Sequence, residues 1–182
     1  MSTRTGFIAI ALTFLICVSC KEKNPVTSPS EEEVITTVTM ELTDSATGSK
    51  TAFIWEDIDG AGGNPPNRID TIRIVMGSIY TATVKVENRS VTPTEDITVE
   101  IRNLLNQHQF FFAISNGIAR AVSTDIDDLG KPVGLSFRLT PLAADQGVFT
   151  VALSHYETRE LKDGITPSDE TDISVTFPLI VQ

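Results

Sequence analysis

Cysteine is almost missing: Cys17 and Cys20 are the only two in 182 residues. If a leader ending at Ser19 is removed, one thiol remains, so no disulfide framework can brace the fold. The core must hold it. Basic residues are scarce as well, with 14 Lys and Arg against 24 Asp and Glu and a formal net charge of −10, which argues against a nucleic-acid partner. No apolar run reaches the roughly twenty residues that a membrane-spanning helix needs. There is no Gly-x-Ser-x-Gly elbow, and Ser154 and His155 leave a strand from opposite faces, so they form no dyad. No pair of carboxylates is marked out for glycoside hydrolysis. The chain is therefore not expected to be an enzyme. Only two histidines occur, His108 and His155.

What the first residues do contain is a leader. Met1 to Thr5 carries one arginine, and Gly6 to Val18 is an apolar run of about thirteen residues, the length of a signal-peptide core. Val18 and Ser19 then place a small residue directly before Cys20. That arrangement resembles a bacterial lipobox, with Cys17 where an aliphatic residue is usual and with Leu15 and Ile16 supplying bulk upstream. The expectation is a signal peptide over 1–19, a lipidated Cys20, and a flexible polar tether through residue 30, "KEKNPVTSPS". Three acyl chains would exceed the two-signal threshold for stable anchoring. An ordinary secretory signal cut nearby is the alternative. The "CKEK" start is similar to lysine-plus-acid export signals, so both the periplasmic and the cell-surface side of an outer membrane stay open.

Residues 31–182 have the size of one ordinary domain, and their pattern is that of strands. In "TATVKVE" and the residue before it, Tyr80, Ala82, Val84 and Val86 share one face while Thr81, Thr83, Lys85 and Glu87 share the other. Likewise Leu135, Phe137 and Leu139 point inward, as do Ile173, Val175, Phe177 and Leu179. Strands also fit "VITTVTMEL", "KTAFIWE", "DTIRIVM", "QFFFAIS" and "QGVFTVALSHY". About eight short strands separated by turn signals predict an all-β, antiparallel, Ig-like β-sandwich, with Pro178 marking the last strand as an edge. One segment breaks the rhythm. In "TPTEDITVEIRNLLNQHQ", Thr92 can cap, Pro93 suits the first helical position and Glu95 completes a capping box. Ile97, Ile101, Leu104, Leu105 and His108 then recur at helical spacing, which predicts a helix over about 93–107.

Two kinds of site can be read from residue types. Asp57 and Asp59 in "EDIDGAGGNPPN", and Asp125 and Asp127 in "TDIDDLGKP", alternate acids before a sharp turn, as calcium loops do, although the distal glutamate of a full loop is missing. Such residues are also simply what turns require. His108 and His155 should both face the interior. Neutral imidazole suits zinc or copper, but two histidines need carboxylates to complete a site; Glu31, Glu32 and Glu33 at the mouth of the first strand offer them by type. The alternative is a pair of hydrogen-bonded histidines at the edge of a core.

In order along the chain, "EEEVITTV", "EDIDGAGGNPP", "TPTEDITVEI" running into "HQFFF", "GKPVGLSF" and "ETDISVTF" resemble a group of short lipoproteins from flavobacteria and related Bacteroidota. These are often labelled a type 1 periplasmic binding fold superfamily. That label implies two α/β lobes with parallel sheets, at odds with the alternation seen here. The resemblance implies an outer-membrane address and the company of a TonB-dependent receptor, hence a part in capturing or handing over a scarce nutrient. It also marks Glu31 to Glu33, Asp57, Asp59, His108 and His155 as positions of interest. Where relatives carry a glutamate-rich helix before the histidine, this chain reads "IRNLLNQHQ". The resulting expectation is a lipid-anchored sandwich that binds a small ligand or a transition metal. Its rival is a structural or adhesive surface module whose acidic loops form turns or weak calcium staples.

Overall fold

Alternation over short segments becomes two facing sheets. The computed structural model describes residues 33–60 and 62–182; the leader, Cys20, the tether, Glu31 and Glu32 lie outside the described residues. The strands run Thr37–Asp44 (β1), Lys50–Glu56 (β2), Arg68–Ile69 (β3), Ile72–Ile74 (β4), Tyr80–Glu87 (β5), His108–Ile114 (β6), Ala119–Ser123 (β7), Ser136–Pro141 (β8), Asp145–His155 (β9) and Glu170–Val181 (β10). One sheet has the order β3-β2-β1-β5-β8-β7, the other β4-β10-β9-β6. The chain is thus an all-β sandwich, with ten strands rather than about eight; the short β3 and β7 are the additions. Among the described residues no helix is long and apolar enough to cross a membrane.

The inner faces follow the period of two. Tyr80, Ala82, Val84 and Val86 of β5 are buried, and so are Val175, Phe177 and Leu179 of β10. Phe137 from one sheet meets Phe149 from the other edge to face at 5.9 Å, with Phe112 stacked 4.3 Å from Phe137. Each such ring contributes roughly 1.5–3 kcal/mol by leaving water. Glu87 departs from the pattern because its two oxygens are held by Lys85 Nζ at 2.6 Å and Arg89 Nη2 at 2.8 Å, which lets the carboxylate lie buried.

Three expectations are corrected. β4 pairs with β10 in parallel, so the sandwich is antiparallel everywhere except at this pair. β10 is also no edge strand, since β4 and β9 flank it. Pro178 is tolerated because β4 reaches only Leu179 to Val181, leaving nothing in that strand opposite the proline. The helix, finally, is shorter than predicted: it spans Ile97–Asn103 (α1), and its cap is Asp96, whose side chain accepts from Thr98 N. Glu95 cannot close a capping box because its backbone exchanges two hydrogen bonds with Asn88. Within α1, Thr98 is fully buried and acts as a strand neighbour to β5, accepting from Val86 N at 2.9 Å and donating to Val86 O at 3.1 Å. His108 does not extend the helix; it opens β6.

A close backbone approach holds β6 in place. Phe110 N donates to Val133 O at 2.7 Å, and Gly134 follows with φ +85°, where a Cβ would fall 2.8 Å from Phe110 Cβ and 2.9 Å from its carbonyl oxygen. Only glycine fits both demands. Gly134→Ala is expected to lower stability by about 2 kcal/mol, read as a drop in the urea midpoint at unchanged slope. An unchanged midpoint would show that this contact is loose in solution.

Candidate metal centre

The register of three strands assembles a cluster that no single segment contains. β6 pairs with β9 so that His108 stands opposite His155, and cross-strand neighbours at that spacing bring their side chains together. The two rings lie 4.7 Å apart at 38°. β9 also pairs with β10, where Glu170 faces His155 and Thr171 faces Ser154, but Ile173 faces Leu153. Asp172 is therefore the extra residue of a β-bulge, a device that re-aims a side chain. Its carboxylate oxygens lie 3.7 Å from His155 Nδ1 and 3.9 Å from His108 Nε2. From the segment leading into β1, Glu33 Oε1 comes within 3.6 Å of His108 Nε2.

The protonation of His108 follows from its neighbours. Its Nδ1 lies 3.1 Å from the carbonyl oxygen of Leu104 at the end of α1. A carbonyl can only accept, so Nδ1 carries the proton and Nε2 presents a lone pair. That nitrogen belongs to a side chain with no exposed surface, and no hydrogen bond reaches it. Glu33 Oε2 is likewise buried without a hydrogen-bond partner. Lone pairs converging away from water cost free energy unless a donor or a cation answers them.

The electrostatics carry the same strain. Burial, reinforced by the charges of Asp172, Glu100 and Glu95, pushes the Glu33 carboxyl up to about 7. Burial also pulls His108 down to about 4, against the Leu104 hydrogen bond and with help from His155 and Lys162. His108 is thus neutral at physiological pH, the form that binds metals. One ligand atom from each of His108, His155 and Asp172 lies within 4.8 Å of the others. Bonds of about 2.0–2.1 Å to a tetrahedral ion place neighbouring ligand atoms about 3.3 Å apart. The His–carboxylate contacts run from 3.6 to 3.9 Å and the ligand atoms of His108, His155 and Asp172 lie within 4.8 Å of one another, so a bound ion would draw them together by up to about 1.5 Å.

Of the residues expected to hold a transition metal, His108 and His155 come together and Glu33 reaches His108, while Glu31 and Glu32 lie outside the described residues. Asp172 was missed, because strict alternation through "ETDISVTF" turns it away from the core and only the bulge returns it. Of the calcium candidates, Asp59, Asp125 and Asp127 accept hydrogen bonds from the chain itself, while Asp57 Oδ1 is buried without one. Asp59 Oδ2 accepts from the backbone and side-chain nitrogens of Asn64, which, backbone first, hold it below the usual carboxylate range. Asp57 is pushed up by burial and by Asp59 beside it. Asp125 accepts from Gly134 N and Ser136 N. Asp127 Oδ1 accepts from Leu129 N and Lys131 N, both at 2.9 Å, and its Oδ2 meets the Lys162 ammonium at 2.9 Å. At Asp127, then, the carboxylate is met by a cation of this chain's own. Among the described residues, the one group of three or more metal-ligating side chains is the histidine cluster. No family model, no curated protein and no solved structure matches this chain.

Proposed function

We propose that this is an envelope lipoprotein whose sandwich binds one divalent transition-metal ion, zinc or copper, through His108, His155, Asp172 and Glu33. The observation that carries the reading is the lone pair of His108 Nε2, buried, without a hydrogen bond and facing two carboxylates. Two imidazoles and two carboxylates form a borderline donor set that suits zinc or copper(II) better than calcium, which takes oxygen alone. Four protein donors would fill a tetrahedral ion and leave no position for a substrate, so the proposal is binding without turnover. The lipid on Cys20, the outer membrane and a TonB-dependent receptor as partner rest on the leader and on the lipoprotein resemblance. In that setting the domain captures a scarce metal and holds it for uptake.

Zinc at ten times its dissociation constant is expected to raise stability by about 1.4 kcal/mol, visible as a higher melting temperature of the full chain. Changing His108 and His155 together to alanine should abolish the shift. If neither zinc nor copper moves the melting temperature of the parent, the metal reading fails and a structural surface module takes its place.

A further inference from the structure

The cluster can be reached from one side. His155 keeps 18 % of its side chain exposed, against 0 % for His108, 8 % for Asp172 and 10 % for Glu33. His155 also lines a cleft of about 470 Å³ whose other walls come from residues 156–170. Four carboxylates line it, those of Glu157, Asp163, Asp169 and Glu170, and no lysine or arginine does. The two cations of that segment are drawn elsewhere: Arg159 to Asp128 at 3.3 Å and Lys162 to Asp127 at 2.9 Å. Acids are thus sorted into the cleft and bases out of it. Behind the His155 ring stands that of His108, with Glu33 against it, and His108 Nε2 and Glu33 Oε2 are both buried without a hydrogen bond. A concave site lined by one sign of charge raises the local concentration of the opposite ion and repels its own kind.

We propose that this cleft is the port of the metal site: it admits a free, hydrated divalent cation to His155 and rejects metal carried on an anionic chelate. The inference rests on the metal reading above and adds the form in which the ion arrives. As the ion moves inward, carboxylates take the place of water molecules, until His155 and then the three buried ligands complete its shell. An anionic complex meets four like charges at the mouth.

The test is a stopped-flow measurement of loading on the full chain, with zinc supplied either as the hydrated ion or as its anionic nitrilotriacetate complex. The triple variant Glu157→Gln, Asp169→Asn, Glu170→Gln should slow loading by the hydrated ion roughly tenfold at low salt. The difference should shrink as salt rises, and the anionic complex should lose its disadvantage. Thr166→Trp, which narrows the cleft without changing its charge, should slow loading and chelator-driven release together and leave the dissociation constant within about twofold. If the parent binds zinc at rates that neither variant changes, the port is overturned while the metal site stands. If the parent takes up no zinc, the metal site falls and the port with it.

Discussion

Lys162→Met is expected to destabilise the protein by about 3–5 kcal/mol, the usual result of stripping one partner from a buried ion pair. Lys162 and Asp127 both have fully buried side chains, with Nζ 2.9 Å from Oδ2, and the ammonium also donates to Leu105 O at 2.8 Å. Burial pulls the Lys162 amine down, opposed by Asp127. Burial alone would raise the Asp127 carboxyl, but the Lys131 backbone N–H and the Lys162 ammonium outweigh it and hold the group below its ordinary value. At 2.9 Å each group favours the charged form of the other. Methionine fills most of the lysine stem but leaves a carboxylate buried with one oxygen unanswered. Adding Asp127→Asn should recover more than half of the loss, because an amide oxygen can still accept from Leu129 and Lys131 while no charge is stranded. Urea denaturation of the three variants decides the matter; a loss below about 1 kcal/mol for the single change would mean that the pair is solvated. The same lysine moors the segment that walls the cleft. Its own carbonyl oxygen accepts from Lys131 Nζ, so 124–134 and 156–169 are clamped together from both sides.

A gain is expected from Glu33→Gln. Measured without metal at pH 8, the variant should be more stable than the parent by about 3 kcal/mol, the free energy of moving a carboxyl from 4.5 to about 7 at about 1.4 kcal/mol per unit. The folded protein holds the Glu33 proton more tightly than the unfolded chain does. Its contribution is therefore complete below pH 4.5 and is lost as pH rises through about 7, which places the advantage of glutamine above neutrality and makes it vanish near pH 4.5. His108 works in the opposite sense. Folding depresses its proton affinity from 6.5 to about 4, so stability is lost as pH falls between those values. In the parent the two trends oppose each other from pH 4.5 to 6.5; in Glu33→Gln only the histidine trend remains, and the acid side of the profile should steepen. Saturating zinc should reverse the ranking at pH 8, since the ion supplies the charge that the parent carboxylate lacks and glutamine is a poorer ligand. Equal stability of both proteins at pH 8 would show that Glu33 is solvated and not part of the cluster.

The elements whose reading needed only local alternation were legible from the residues. β2 is found over the stretch "KTAFIWE", and β5 buries the four residues assigned to its inner face. Both histidines were read as facing inward, and His108 is fully buried. The α1 boundary was misread because its determinant is not local: the backbone of Glu95 is bridged to Asn88, and the helix can begin only after that bridge. β4 escaped correct placement for a similar reason, since its partner in β10 lies about a hundred residues along the chain.

What the amino-acid sequence determined by itself was the class of the molecule, because strand period and turn residues act within a few neighbours of each residue. What tertiary structure alone decided was which side chains share a site. Asp172 enters the cluster through one extra residue in a register, and Glu33 through a segment more than seventy residues before His108. Lys162, a lysine in a polar loop, becomes the buried partner of Asp127 only once two loops meet. Burial then shifts proton affinities that exposed side chains would keep, and burial belongs to the folded chain as a whole.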